Sequence, residues 1–177
     1  MKSTAIDIRI NNIPLAPEQI ISNNDGGYYF WKTYQGIGPA ERDQHSLIRI
    51  DHKHNIIEQK IPLKRGVVNK PNRFHKYKSY YNIDPPYGLD TIFAASDSGV
   101  FANYHIDFGK KTLPKPIPEW EYFSEYRLKM AQEEYVTNIM RFIETEDWIF
   151  FRFVYKRFYH NVYYSKNEDK IFVHKPG

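Results

Sequence analysis

Three acidic residues near the end of the chain are of the type that cleaves sugar linkages. Glu144, Glu146 and Asp147 lie within four positions of one another, and glycosidases use a pair of carboxyl groups as acid, base or nucleophile. Such a pair normally comes from separated elements that flank the sugar. Three acids beside a turn are more typical of a solvated loop, so we assign no catalytic residue from this run.

Two histidines could provide metal ligands, because His52 and His54 are two positions apart and would point to the same side of a strand. They fall at a hairpin tip, however, and the sequence offers no evident third ligand. The chain contains no cysteine, which excludes thiolate metal sites and disulfides. The run Gly36-Ile37-Gly38-Pro39 lacks the Lys-Ser/Thr ending of a phosphate loop. We therefore predict no metal site and no cofactor.

An aromatic group gives the best candidate for a binding site. The cluster before and within the Pro85-Pro86 break contains Phe74, His75, Tyr77, Tyr80, Tyr81 and Tyr87. Rings of this kind stack on sugars or cover an apolar ligand while their polar ends form hydrogen bonds. Packing in the core is the competing explanation, and it suits Tyr87 least, because this residue follows two prolines in a loop. From this cluster we predict His75, Tyr77, Tyr81 and Tyr87 as ligand-binding residues.

Charge and hydropathy limit the partners. The formal net charge is +4, but the basic residues are scattered among 21 acidic ones. The basic aromatic run 70–78 could follow a nucleic-acid backbone, although as a strand it would place Lys76 and Lys78 on one face and His75 and Tyr77 on the other, as in an ordinary edge strand. The chain shows no apolar run of membrane-spanning length and no signal peptide at its start. We expect a protein or glycan ligand rather than nucleic acid, and no membrane span.

Three segments repeat the pattern of a strand, a short polar turn and a second strand. They are Leu47–Ile61, Thr91–Ile106 and Asn161–Val173. The first two turns, 52–55 and 96–99, are about 44 residues apart, a spacing in the range of one propeller blade. The third turn, 166–169, follows about 70 residues later, which leaves room for an insertion. The chain therefore reads as a tandem β-repeat.

The segments between the hairpins predict further elements. Phe74–Ile83 has the composition of one strand, and a short helical insertion is expected near 117–134, where Pro118 can begin a helix. In Trp148–Tyr155 both faces are largely apolar, which predicts a central strand covered on both sides. The prediction is an all-β fold: antiparallel four-stranded repeats of a partial β-propeller with one short helical insertion. A single domain, 1–177, would hold about four blades.

Several short motifs resemble a family of six-bladed β-propellers, uncharacterised bacterial proteins that are commonly exported or lipid-anchored. The matching segments are Gly36-Ile37-Gly38-Pro39-Ala40-Glu41, Leu89-Asp90-Thr91-Ile92-Phe93, Tyr104-His105-Ile106-Asp107-Phe108-Gly109 with Leu113-Pro114, and Glu144–Tyr155 with Tyr163-Tyr164-Ser165-Lys166. Ala40 stands where the family's loop has glycine. The resemblance implies no catalytic residues, and it implies a periplasmic or cell-surface location if the chain is a fragment.

The length and the resemblance together shape the functional hypotheses. Six blades of about 40 residues need about 240 residues, more than the 177 present. We expect either a truncated product or a partial propeller that associates with itself or a partner through exposed blade edges. The leading hypothesis is a non-enzymatic binding or scaffold protein. The alternative is a carbohydrate-active enzyme or subunit that acts in a completed ring.

Overall fold

A computed structural model describes residues 9–10, 13–14, 19–31, 45–62, 74–85, 88–113, 128–130 and 132–175. These residues form three antiparallel four-stranded sheets and one two-stranded ladder. Strands that follow each other in sequence are neighbours in every sheet, as in the blades of a propeller. The predicted all-β class with four-stranded antiparallel repeats is confirmed.

The strands divide into a ladder and three blades. The ladder contains β1 (Arg9–Ile10) and β2 (Ile13–Pro14). Blade 1 contains β3 (Gln19–Ser22), β4 (Tyr28–Trp31), β5 (His45–Ile50) and β6 (Ile56–Pro62). Blade 2 contains β7 (Phe74–Tyr77), β8 (Tyr80–Ile83), β9 (Thr91–Ser96) and β10 (Gly99–His105). Blade 3 contains β11 (Ile139–Glu144), β12 (Trp148–Tyr155), β13 (Phe158–Ser165) and β14 (Lys170–His174).

All three predicted hairpins are present, as β5–β6, β9–β10 and β13–β14. Each turn contains a residue with positive φ, namely His54 at 66°, Gly99 at 127° and Asp169 at 53°. In the first turn the Asp51 carboxylate accepts hydrogen bonds from the backbone N–H groups of Lys53 and Asn55, both at 2.8 Å. Local turn chemistry therefore fixes where the chain reverses.

The prediction of one strand over Phe74–Ile83 is wrong. The segment is a hairpin of β7 and β8, which pair antiparallel around the turn Lys78–Ser79. Lys78 has a φ of 50° there, although lysine is not a residue that typically marks such a turn. Because of this reversal, the segment contributes two strands to blade 2, and the β9–β10 hairpin contributes the other two.

Two apolar layers join the three blades. Between blades 1 and 2, Tyr29, Trp31, Leu47, Ile83 and Ala95 are buried together. Between blades 2 and 3, a second layer forms around Ile92 of β9, with blade 3 contributing most of its members. These are Ile139, Phe142, Ile149, Phe151 and Val162. The blades therefore pack face to face, and each joint is a separate core.

Strand β12 differs from the expectation of a strand covered on both sides. Its Ile149 and Phe151 face blade 2 and are buried. Its other face carries Trp148, which is 43 % exposed. An apolar face thus lies open on the far side of blade 3 in the part of the chain that the structure describes.

Only part of the predicted helical insertion can be compared with the structure. A 3-10 turn, Gly109–Lys111, follows blade 2. Residues 128–130 and 132 are helical, and the Lys129 carbonyl accepts the N–H of Glu133 at 2.9 Å. Most of 117–134 lies outside the described residues. The count of about four blades stays a prediction, since three complete blades and the β1–β2 ladder lie within the described ranges.

Candidate functional site

The four predicted ligand-binding residues do not form one group. His75 and Tyr77 of β7 are paired with Asn82 and Tyr80 of β8, and this face of blade 2 is directed at blade 3, where Asn82 and Tyr80 bond to Glu144. Tyr81 is paired with Lys76 on the opposite face, towards blade 1. Tyr87 lies outside the described residues. The joint between blades 2 and 3 is therefore the place to look for a site that includes His75 and Tyr77.

A buried carboxylate lies at the centre of this joint. Glu144, the last residue of β11, has a side chain only 2 % exposed. Its Oε1 accepts hydrogen bonds from the Tyr104 hydroxyl at 2.5 Å and the Lys166 ammonium at 2.7 Å. Its Oε2 accepts from the Tyr80 hydroxyl at 3.0 Å and Asn82 Nδ2 at 2.8 Å. Two donors on each oxygen use essentially all of its capacity to accept hydrogen bonds.

The surroundings keep Glu144 ionised at neutral pH. Burial by itself raises the pKa of this carboxyl, but hydrogen bonds from Lys166, Tyr104, Asn82 and Tyr80 outweigh it, and the pKa lies below its ordinary value. Burial lowers the pKa of Lys166, whereas its bond to Glu144 raises it, and the result is a raised pKa. Burial, followed by the bond to Glu144, raises the pKa of Tyr104. The centre is thus a carboxylate paired with an ammonium and held by neutral tyrosines.

A second carboxylate joins the same two blades. Asp84, which follows β8, is 4 % exposed and accepts the backbone N–H groups of Arg141 at 2.7 Å and Phe142 at 2.8 Å. These N–H groups lie where the β11–β12 pairing is interrupted by a register shift, and Arg141 has a φ of 56°. His75 Nε2 lies 3.9 Å from Asp84 Oδ1. Asp84 thus binds the bulge of one blade to the neighbouring blade, and His75 belongs to that contact.

Aromatic and basic side chains form the outer edge of the joint. The Tyr77 and Tyr80 rings meet edge to face with centroids 5.6 Å apart, and Tyr80 meets Phe101 in the same way at 6.0 Å. The ammonium groups of Lys166 and Lys78 lie 4.7 and 5.1 Å from the Tyr77 ring centroid. Phe101 is 40 % exposed. We call Tyr77, Lys78, Tyr80, Phe101 and Lys166 the Tyr77 rim.

Tyr81 lies at a different joint. Its ring meets Phe74 edge to face at 6.5 Å, and the Lys76 ammonium is 5.9 Å from its centroid. It lines a small polar cavity of about 70 Å³ between blades 1 and 2, together with Asn24 and Asp97, which bond to each other across that joint. The cavity is too small for a sugar ring or a larger organic ligand.

The other candidates from sequence are dispersed. His52 and His54 are exposed at the turn between β5 and β6, and the described residues include no cluster of three His, Asp or Glu side chains able to hold a metal ion. Glu146, with a side chain 74 % exposed, pairs with Lys78 instead of facing Glu144 as a second catalytic carboxylate. In the described part of the chain, no helix has the length and apolar character needed to cross a membrane.

Sequence reasoning missed Asn82, Tyr104 and Lys166 as members of the joint. Asn82 could have been noticed from sequence, because it is a polar amide within the run Tyr80-Tyr81-Asn82-Ile83. In the structure it is 0 % exposed. A buried amide needs partners, and its oxygen accepts from Asn103 Nδ2 at 2.7 Å. Lys166 gave no such signal, because it lies in the charged turn 166–169, a sequence that is typical of a solvent-exposed loop.

Comparison with known proteins agrees with this architecture. Residues 6–175 match a family described as 6-bladed beta-propeller. The crystal structure of a candidate exported protein from Bacteroides fragilis NCTC 9343 is similar, with a TM-score of 0.65 and 16 % sequence identity. The match covers 92 % of this chain and 47 % of that one, so the chain spans about half the length of that protein. No curated protein matches.

The family match includes all three blades and both joints, and the similar crystal structure supports the same fold independently of the short motifs. Because the sequence identity is only 16 %, the similarity to that structure supports the fold and no other property. The chain belongs to the family of six-bladed β-propellers.

Proposed function

We propose that this chain is a non-enzymatic binding and scaffold protein, and that the Tyr77 rim is its ligand-binding surface. The observation that carries the proposal is that the hydrogen-bonding capacity of the Glu144 carboxylate is fully used within the protein. Both oxygens of this deeply buried carboxylate already accept hydrogen bonds. The four donors belong to blade 2 and to the turn after β13. Its role is therefore to hold two blades in register beneath the rim.

The same geometry counts against the carbohydrate-active enzyme. A general acid needs a proton at neutral pH and hence a raised pKa, whereas the pKa of Glu144 is lowered by the bonds that outweigh its burial. A base or nucleophile needs a free lone pair directed at the substrate, and the Oε atoms of Glu144 face Lys166, Tyr104, Tyr80 and Asn82.

The rim has the chemistry of a surface that binds carbohydrate. Three aromatic rings lie in a row, each in edge-to-face contact with the next, and such contacts fix the rings at little cost in conformational entropy. Sugar rings present C–H groups that pack on aromatic faces and hydroxyls that accept from ammonium groups. Lys78, which is 57 % exposed and pairs with Glu146, lies at the edge of this row. The ligand we propose is an oligosaccharide.

Binding can be tested by titrating the protein with a panel of neutral and acidic oligosaccharides in a calorimeter. We expect saturable binding without hydrolysis, and Phe101→Ala should weaken it at least tenfold. Phe158→Ala is the matched control, because Phe158 is also a half-exposed phenylalanine, 53 % exposed, and lies in blade 3 at the β12–β13 turn.

Hydrolysis of any oligosaccharide by the wild-type protein would contradict the non-enzymatic assignment. Equal weakening by both substitutions would contradict the placement of the site at the Tyr77 rim. Saturable binding to peptides with no binding to the panel would reject the carbohydrate and keep the binding role.

We also propose a periplasmic or cell-surface location. The support is that the protein in the similar crystal structure is described as a candidate exported protein. Cell fractionation with an antibody against the chain tests this, and recovery in the cytoplasmic fraction would contradict it.

A further inference from the structure

The end of blade 3 that lies opposite the Tyr77 rim is basic and aromatic. Strands β12 and β13 pair up to Tyr155 and Phe158, and a two-residue turn joins them. The pairing of β13 with β14 begins at Asn161, so the first three residues of β13 extend about 10 Å past the last residue pair with the edge strand. The projecting end and the cations beside it comprise Arg152, Lys156–Tyr159 and Lys175. We call this group the basic tip.

The turn of the basic tip is strained for the residues that form it. Lys156 and Arg157 have φ values of 49° and 69°. A two-residue hairpin turn with positive φ at both positions normally contains Asn-Gly, Asp-Gly or Gly-Gly, because the left-handed region brings the Cβ of other residues close to the backbone. Strained backbone of this kind concentrates at functional sites. Two cations at these positions therefore indicate contact with an anionic partner.

The basic tip holds an excess of positive charge. The acid in ion-pair contact with it is Glu134, which lies 2.5 Å from the Lys156 ammonium. Arg152 donates to a neutral side-chain amide at 2.8 Å. Arg157 and Lys175 are exposed, and neither forms an ion pair with a described residue. Three of the cations are thus available to negative groups outside the protein.

Two exposed aromatic rings lie among these cations. Phe158 is 53 % exposed and Tyr159 is 49 % exposed. The Lys175 ammonium lies 4.2 Å from the Phe158 ring centroid, and the Arg152 guanidinium lies 5.5 Å from that of Tyr159. One face of each ring is therefore occupied by a cation and is closed to the bases of a nucleic acid. The cations and the free parts of the rings are the groups that a partner meets.

We propose that the basic tip docks on the surface of a membrane that contains anionic lipids. Lipid phosphates attract Lys and Arg side chains at the membrane surface, and exposed aromatic rings beside them enter the interface between headgroups and acyl chains. A projecting hairpin reaches a flat surface, whereas a linear polyanion needs a groove or a path of cations along the protein. The shape and the chemistry of the basic tip together therefore favour a lipid surface.

Docking through the basic tip directs the Tyr77 rim away from the membrane. Strand β12, Trp148–Tyr155, is 8 residues long and spans about 25 Å. The basic tip lies at its Tyr155 end. Lys166 of the rim lies at the other end, where its backbone N–H donates to the Asp147 carbonyl at 2.8 Å. The rim thus stays accessible from solution, and the membrane proposal does not rest on what the rim binds.

Partition onto lipid vesicles tests the proposal. The purified chain is sedimented with vesicles of phosphatidylcholine alone and with vesicles of equimolar phosphatidylcholine and phosphatidylglycerol. We expect binding to the anionic vesicles only, and weaker binding at higher salt. Arg157→Gln should weaken it about fivefold, the usual effect of one basic residue near an anionic surface. Lys53→Gln is the matched control, because Lys53 is an exposed cation of the β5–β6 turn, and it should cause no change.

Two further variants separate membrane binding from folding. Arg157→Gly removes the charge and also relieves the positive φ of 69°. Its melting temperature should therefore equal or exceed that of the wild type while its binding to anionic vesicles is weakened. Phe158→Ala should weaken binding without changing its dependence on salt, because it removes apolar contact and no charge. A lower melting temperature of Arg157→Gly would overturn the inference from strain.

Absence of binding to the anionic vesicles at low salt would overturn the proposal. Equal weakening by Arg157→Gln and Lys53→Gln would indicate attraction by net charge alone and would also overturn it. Binding to duplex DNA or to a sulfated polysaccharide that Arg157→Gln abolishes, together with no binding to vesicles, would identify a soluble polyanion as the partner in place of a membrane.

Discussion

Replacing Glu144 with glutamine tests the central contact between blades 2 and 3. The substitution keeps the shape of the side chain and removes its charge. One of its two polar atoms becomes an NH₂ group, which faces either Lys166 and Tyr104 or Asn82 and Tyr80. A tyrosine hydroxyl can rotate and accept a hydrogen bond from this NH₂ group, but the ammonium group of Lys166 cannot. Asn82 is held in its orientation by the hydrogen bond that its oxygen accepts from Asn103.

The expected cost follows from these contacts. At least one donor to Glu144 loses its acceptor, which costs about 1–3 kcal/mol, and the ammonium of Lys166, whose side chain is 21 % exposed, loses its counter-charge. We expect the free energy of unfolding to fall by about 2–4 kcal/mol at pH 7. Urea denaturation followed by the fluorescence of the three tryptophans measures it. Glu146→Gln is the control, because its side chain is 74 % exposed, and it should cause no measurable change.

Acid should abolish the difference in stability between the wild type and the Glu144→Gln variant. The pKa of Glu144 is lower in the folded chain than its ordinary value of 4.5. A carboxyl with a lowered folded pKa contributes stability above its unfolded pKa and loses that contribution as the pH falls through the folded value. The two proteins should therefore differ most at pH 6–7, and the difference should shrink below about pH 4.5 and vanish only once the pH is below the lowered pKa of the folded chain. Equal stability at pH 7, or an undiminished difference in acid, would refute the interpretation of Glu144 as an ionised clamp.

Two further predictions concern the backbone contacts of the blades. Asp84→Ala should lower the free energy of unfolding by about 1–3 kcal/mol, because the N–H groups of Arg141 and Phe142 would lose their acceptor and that of Phe142 is buried; denaturant unfolding at wild-type stability would refute this contact. Gly27→Ala should prevent blade 1 from packing correctly, since a Cβ at Gly27 would lie 2.3 Å from the Ile50 carbonyl oxygen; a variant with the melting temperature of the wild type would show that β4 and β5 can separate without cost.

The hairpins were predictable because their information is local. In the turn Asp51–Asn55, for example, the Asp51 carboxylate accepts the backbone N–H groups of Lys53 and Asn55 and the side-chain amide of Asn55, and the flanking strands show apolar alternation. The β7–β8 reversal had no such signal, since the turn is formed by Lys78 and Ser79.

That turn also decided which candidate residues meet. In one continuous strand Tyr77 and Tyr81 would lie on the same face, but the hairpin pairs Tyr77 with Tyr80 and therefore turns Tyr81 to the other face. The aromatic cluster in the sequence thus divides between two joints. Tyr80, a member of that cluster, stays beside Tyr77 at the rim, and Phe101 joins them from β10.

The sequence by itself determined the three hairpins and the propeller class, because side-chain alternation and turn composition act over a few residues, but it did not determine the β7–β8 reversal. Only the tertiary structure decided that Glu144 is a buried clamp and not a solvated acid beside a turn, since its partners lie 22–64 positions away. The same holds for β12, whose two apolar faces look equivalent along the chain. Packing against blade 2 covers one face, whereas the far side of blade 3 stays open in the part of the chain that the structure describes.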